Sequence, residues 1–410
     1  MDWSAHAIFW HIYPLRFVDG EFDAIDHVEH RLWRVTNWLD YVLQLGANGL
    51  LVAPIFASLT HGYDTLDYYR IDPRLGDDAD FDDLLWKAHE RGIKVVLDGV
   101  FNHVSRDHAI VTRALASGPG TADGDWIKWA GEHPYCFEGS LDLVELNHDN
   151  PRVQDLVADV MLHWLGRGID GWRLDAAYSP GADAWAPIVA RVRERFPDAW
   201  LVAEVIQGDY VDFVERSGVD SVTQYELWKA IWSSLNDVNL FELEWSLKRH
   251  MEFCAHFRPQ TFIGNHDVTR IASQLKDDRH VPLAVALLMF LPGTPSIYAG
   301  DEQGFTGEKL DAPGGDEAVR PPFPVDPSGL LPYGGNLFRL HREIIAQRRL
   351  HPWIADAVAT PTHVREGAIA IELAGESDRL TIAVNATDDA LVLPGSHGDL
   401  HLEPHAWALG

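Results

Sequence analysis

The chain has 410 residues, 46% hydrophobic and 23% charged, enough for a sizeable core in two or three domains, or in one α/β barrel of about 250 residues with additions. That composition excludes disorder as the main state, and 62 Asp plus Glu against 33 Lys plus Arg give a formal charge of -29 that repels nucleic acid and anionic membrane as partners. Cys136 and Cys254, the only cysteines, are too few for a disulfide framework or a thiolate metal cluster, and leave one bridge between them open. The first residues, Met-Asp-Trp-Ser-Ala-His, are neither basic nor followed by a long apolar run, so a leader or a membrane span is not expected and a cytoplasmic location is.

Short apolar and β-branched runs alternate with amphipathic helical stretches, with glycine between helix and strand, which is the pattern of βα units around a parallel sheet. In chain order the expected strands are 8–13, 49–53, 94–98, 171–175, 200–204, 221–224, 261–265 and 296–298. Eight such strands suit a (β/α)8 TIM barrel. The clearest helix follows Asn150-Pro151, a cap residue with proline at the first helical position, and carries Val153, Leu156, Val157, Val160, Met161, Trp164 and Leu165 on one face before Gly166 and Gly168 stop it. Residues 104–142, rich in Gly, Asp, His and Trp, are too long for an ordinary loop and are expected to form a short inserted subdomain after strand 3. The barrel would then comprise 1–103 and 143–350, and 351–410 would form a small C-terminal β domain with strands at 368–373, 380–384 and 391–393.

Asp98, Asp175, Glu204 and Asp267 fall at or just beyond the C-terminal ends of expected strands three, four, five and seven. In a barrel those ends converge on the face where active sites are built. Four carboxylates on one rim repel each other, which is a poor choice without a function. Arg173 and Asp175, two apart on one strand, project to the same side, so the guanidinium is expected to keep Asp175 ionised. Glu204, near Asp175 and Asp267, is expected to hold its proton to higher pH. An ionised nucleophile beside a protonated acid, about 5–5.5 Å apart, is what retaining glycoside hydrolysis requires.

These motifs resemble the α-amylase family, glycoside hydrolase family 13. The resemblance rests on Asp98-Gly-Val-Phe-Asn102-His103, Gly171-Trp-Arg173-Leu-Asp175-Ala176, the surroundings of Glu204, and Asn265-His266-Asp267. It implies Asp175 as nucleophile, Glu204 as general acid/base and Asp267 as the carboxylate that fixes sugar hydroxyls, with His103 and His266 binding hydroxyls of the attacked glucose. Asp98 and Arg173 join the substrate-binding set. Tyr63, in His61-Gly62-Tyr63-Asp64, matches the aromatic platform under that sugar, and Asp316 with Arg320 matches a pair that holds the next glucose. The implied activity is hydrolysis of α-glucosidic bonds, foremost α-1,4, in small malto-oligosaccharides, cyclodextrins or related α-glucosides, as in intracellular α-glucosidases, cyclomaltodextrinases and neopullulanases. The alternatives are a transglycosylase or glucoside isomerase using the same intermediate and, more remotely, an inactive sugar-binding or transporter-partner subunit. Tyr178-Ser179 stands where many α-amylases carry Lys-His, which speaks against a starch-cleaving endo-enzyme, and Ala176 leans away from α-1,6 bonds. No cofactor is required; calcium, if bound, would use Asn102. The oligomeric state is open.

Overall fold

The computed structural model describes residues 3–312 and 314–410. Apolar runs too short for helices become eight buried strands: β1 (Phe9–Ile12), β2 (Gly49–Val52), β3 (Lys94–Gly99), β4 (Gly171–Leu174), β5 (Trp200–Ala203), β6 (Ser221–Val222), β7 (Gln260–Phe262) and β8 (Thr294–Tyr298). They form one parallel sheet in the order β6-β5-β4-β3-β2-β1-β8-β7. A parallel bridge between Thr223 and Gln260 joins its two edges, with Gln224 N donating to Gln260 O at 2.9 Å, and so makes the sheet a (β/α)8 barrel.

Helices between the strands cover the outside. The Asn150 side chain caps helix Pro151–Arg167 by accepting from Arg152 N at 3.0 Å, and Gly168, at φ 113°, ends it in the left-handed conformation that glycine adopts without penalty. This stop turns the chain directly into β4. Trp10, Trp38, Trp164, Trp172 and Trp185 are fully buried. Much of the chain's tryptophan content is therefore core rather than ligand surface.

Between β3 and β4, His103–Ser105 pairs antiparallel with Leu143–Glu145, and the intervening segment carries helix Ala109–Ser117 and a short ladder of Trp129–Ala130 with His133–Pro134. After helix Gly335–Leu350 come β9 (Val358–Arg365), β10 (Ala368–Ala374), β11 (Arg379–Asn385), β12 (Leu391–Gly395), β13 (Gly398–Leu402) and β14 (Ala406–Leu409). The sheet β9-β10-β11-β14 and the hairpin β12-β13 make an antiparallel unit, with β9 against helix Phe241–Cys254 and β14 against helix Val281–Phe290. Cys136 and Cys254 are both free thiols.

One buried ion pair fixes the wall around the barrel mouth. Arg74 and Asp72 are 0% and 1% exposed; Arg74 Nε donates to Asp72 Oδ1 at 2.8 Å and Nη2 to Oδ2 at 2.7 Å. The same guanidinium donates to the carbonyls of Phe22 and Thr60 and, at 2.6 Å, to Ser58 Oγ. Two otherwise irregular loops are thereby tied to one point. Asp72→Ala leaves that cation buried and unpaired, and is expected to cost about 3–5 kcal/mol of stability. A chemical-denaturation midpoint equal to that of the wild-type protein would contradict it.

Candidate active site

The register of the barrel strands brings the charged side chains together. Arg173 on β4 lies directly across from Asp98 on β3. Asp175 follows two residues later on the same side of the chain, its N–H donating to Gly99 O at 3.0 Å; Glu204, just past β5, donates its N–H to Leu174 O at 2.9 Å. Arg173 Nη1 therefore reaches both Asp98 and Asp175 Oδ1, the latter at 3.2 Å, while Nη2 reaches Glu204 Oε1 at 2.8 Å. Three buried carboxylates share one buried guanidinium.

Glu204 has two further donors. Tyr225 OH donates to Oε1 and Ala176 N–H to Oε2, both at 3.0 Å. Ala176 sits at φ 44°, a left-handed turn that is uncommon outside glycine, immediately after Asp175.

A second cluster adjoins the first through Tyr63. Tyr63 OH donates to Asp98 Oδ2 at 3.1 Å and pairs with His266 Nε2, whose ring lies parallel to the Tyr63 ring at 5.4 Å. His266 Nε2 is 2.9 Å from Asp267 Oδ2. Arg320 Nη2 contacts Asp267 Oδ1 at 2.8 Å and Asp316 Oδ2 at 3.0 Å, and its guanidinium covers the Tyr13 ring at 4.5 Å. Lys309 Nζ also reaches Asp316, at 3.2 Å. Both clusters open into a cavity of about 570 Å³ whose walls include Phe22, Phe137, Tyr178 and Trp228. His103 lines it too, stacked on Phe137 at 4.6 Å, with a buried Nε2 that has no protein partner.

Electrostatics separate Asp175 and Asp267, which both line the cavity. Burial, then the nearby Glu204, holds the Asp175 carboxyl well above the usual aspartate range despite Arg173. Burial also acts on Asp267, but His266, Arg320 and Arg173 outweigh it and hold that carboxyl well below the range. Burial raises Asp98 and lowers His103 to about 3, so the His103 ring is neutral near pH 7. The expectation that Arg173 serves Asp175 and keeps it ionised is thus corrected. The guanidinium is divided three ways and its contact to Asp175 is longer than the one to Glu204.

All ten predicted site residues other than Asn102 fall in these two clusters or, for His103, on the same cavity wall. The family model "Alpha amylase, catalytic domain" matches residues 11–324, most of the chain and every one of these residues. The chain belongs to the α-amylase family. It is accordingly a glycoside hydrolase fold carrying an enzyme's constellation. Among curated relatives, Alpha-amylase 3 of Dictyoglomus thermophilum is 32% identical over 349 residues, 78% of this chain and 68% of that protein. A cyclomaltodextrinase of a Bacillus species is 27% identical over 421 residues, 94% of this chain and 73% of its own. Among solved structures, a cyclic α-maltosyl-(1→6)-maltose hydrolase of Arthrobacter globiformis superimposes with a TM-score of 0.87 at 27% identity, covering 100% of this chain and 99% of that one.

Asn102 does not make a calcium site like those that the family resemblance implies. Its buried Oδ1 lacks a partner, yet its side-chain amide faces His103 Nδ1 at 3.3 Å, and Glu145, just past the insert, is taken by Lys128 at 2.9 Å. Among the described residues, the two groups of three His, Asp or Glu spaced for a metal lie elsewhere. One amide oxygen without a carboxylate is a poor match to the oxygen-rich shell calcium takes.

Sequence reasoning passed over Tyr225 and Tyr13. Both stand just past strand ends, β6 and β1, the position rule that exposed the carboxylates, but a lone tyrosine carries no motif. Tyr225 OH bridges Glu204 and Asn265, accepting from Asn265 Nδ2 at 3.1 Å, and Asn265 Oδ1 in turn accepts from Asp267 N at 2.8 Å. Tyr225→Phe leaves both buried partners short of a bond and is expected to cost about 1–3 kcal/mol, read as a lowered denaturation midpoint. An unchanged midpoint would show the bridge to be idle.

Proposed function

We propose that Asp175, Glu204 and Asp267 are the catalytic carboxylates of a retaining glycoside hydrolase that cleaves α-glucosidic bonds, foremost α-1,4, in small malto-oligosaccharides, cyclodextrins and related α-glucosides. The observation that carries this reading is the sharing of Arg173 by Asp175 and Glu204 at the floor of the cavity, from adjacent strands. Two carboxylates gripping one guanidinium are near neighbours, as the double-displacement route requires at about 5–5.5 Å.

In this reading Asp175 attacks the anomeric carbon while Glu204 gives its proton to the leaving oxygen, forming a covalent glycosyl-enzyme. Glu204 then takes a proton from water, which releases the sugar with its configuration retained. Asp267, held ionised, accepts hydrogen bonds from the sugar's hydroxyls, and the unpartnered His103 Nε2 offers another polar contact. Tyr63 supplies the platform, His266, Asp98 and Arg173 orient the ring, and Asp316 with Arg320 holds the next glucose. Every proton and electron pair is supplied by carboxylates, substrate and water, so the route needs no cofactor. A cavity of about 570 Å³ lies in the usual small-ligand range of about 300–1,000 Å³, which favours short or cyclic chains over a long open cleft.

The division into a barrel (1–103 and 143–350), an insert (104–142) and a C-terminal β domain (351–410) belongs to the same proposal, as does a cytoplasmic location. Two free thiols suit a reducing compartment. No helix among the described residues is long and apolar enough to cross a membrane. A second reading, cleavage of the α-1,6 bonds of a small ring, is favoured by the superposition over the whole chain on the Arthrobacter globiformis enzyme.

Product analysis on maltotriose, cyclodextrins, isomaltose, soluble starch and cyclic maltosyl-maltose distinguishes these readings, and transfer products rising with substrate concentration would mark a transglycosylase. Asp175→Asn and Glu204→Gln should each fold and lose about 10²–10⁴ of the activity. Wild-type-like turnover by either variant removes the mechanism. Asp175 must be ionised to attack, and its carboxyl is raised, so kcat/KM should fall on acidification at a pH well above the ordinary aspartate value of about 3.9. A pH profile still flat at pH 4.5 would refute that.

A further inference from the structure

Outside the cavity that holds the carboxylates, another polar cluster lies at the seam between barrel and C-terminal sheet. Asp277 and His280 stand just before helix Val281–Phe290, and His405 immediately precedes β14, which packs on that helix. One ligand atom from each of Asp277, His280 and His405 lies within 4.8 Å of the other two. His280 Nε2 and His405 Nδ1 are 3.1 Å apart. A tetrahedral zinc with bonds of about 2.0–2.1 Å places two ring nitrogens about 3.3–3.4 Å apart, so the observed spacing is close to a chelating bite.

We propose that Asp277, His280 and His405 form a site for a divalent transition cation of the zinc type, which clips the C-terminal β sheet to the barrel.

Three observations beyond proximity point the same way. His405 Nε2 is 2.8 Å from Asp388 Oδ1; a carboxylate there fixes the ring proton on Nε2 and leaves the Nδ1 lone pair facing His280, the arrangement that supports metal-bound imidazoles. His280 is 2% exposed and its Nδ1 has no partner, while its Nε2 is shared between His405 and Ala386 O at 3.2 Å. With the ring proton on Nδ1, the Nε2 that faces His405 is left as the ligand atom. Finally, Val238 and His405, two of the few non-glycine residues at positive φ (both 50°), line the same cavity of about 280 Å³. A β-branched residue in that region is a genuine outlier, and such strain persists where surrounding structure holds it for a purpose.

Arg279 bridges the two aspartates, with Nη2 to Asp277 Oδ2 at 2.6 Å and Nη1 to Asp388 Oδ1 at 3.2 Å. Two carboxylates against one guanidinium leave a net negative charge for a cation to meet. The cavity has room for the ion and a water completing four ligands.

The test uses the full chain, stripped of metal and titrated with zinc chloride against a chromophoric chelator, with thermal unfolding in parallel. Wild-type protein should take up one zinc per chain and melt at a higher temperature with the metal, while glucoside hydrolysis stays unchanged. His405→Asn keeps a side chain that tolerates the left-handed backbone but lacks the imidazole, and Asp388→Asn removes the orienting carboxylate at an exposed position. Each should weaken zinc uptake by about 10–100-fold and shrink the thermal shift, with catalytic activity reporting that the fold survives. No uptake by the wild-type chain, or equal uptake and equal thermal shift in His405→Asn, overturns the site.

Discussion

Arg173 is the residue on which the barrel mouth depends. Asp98, Asp175 and Glu204 are all buried, and each would be costly to ionise alone; a single guanidinium across from Asp98 in the strand register makes their assembly affordable. Because it contacts all three, the cation divides its stabilisation and leaves Asp175 with a raised carboxyl while Asp267, supported separately by His266 and Arg320, stays ionised. The separation of proton affinities thus comes from how few cations serve how many acids.

The surrounding shell is built to hold those acids still. Tyr225 links Glu204 to Asn265, Asn265 links to the backbone of Asp267, and Arg320 ties Asp267 to Asp316 while covering Tyr13. Further out, the buried Arg74–Asp72 pair fixes the carbonyls of Phe22 and Thr60, residues of the cavity wall. The geometry of the carboxylates is held by hydrogen bonds between loops and by the register of short strands beneath them.

Much of this was legible in the sequence. Parallel strands buried on both faces read as continuous apolar runs, and polar residues at their ends announce the functional face, which is why Asp98, Asp175, Glu204 and Asp267 stood out. What stayed hidden depends on cross-strand partners. The sharing of Arg173 follows from the pairing of β3 with β4, and that register is not written in either segment alone. Three C-terminal strands, Val358–Arg365, Gly398–Leu402 and Ala406–Leu409, were also missed. The first carries Pro361 and a register shift and is largely exposed, and the second is a polar hairpin arm, so neither shows the apolar alternation of a strand half-buried against a core.

The left-handed turn at Ala176 narrows what engineering can attempt. Its backbone N–H is committed to Glu204, its dihedral penalises branched side chains, and it borders the space a sugar would fill. Libraries aimed at altering substrate preference gain little by randomising this position. Phe137, Tyr178 and Ile206, which line the same cavity without gripping a carboxylate of the floor, leave far more latitude for remodelling.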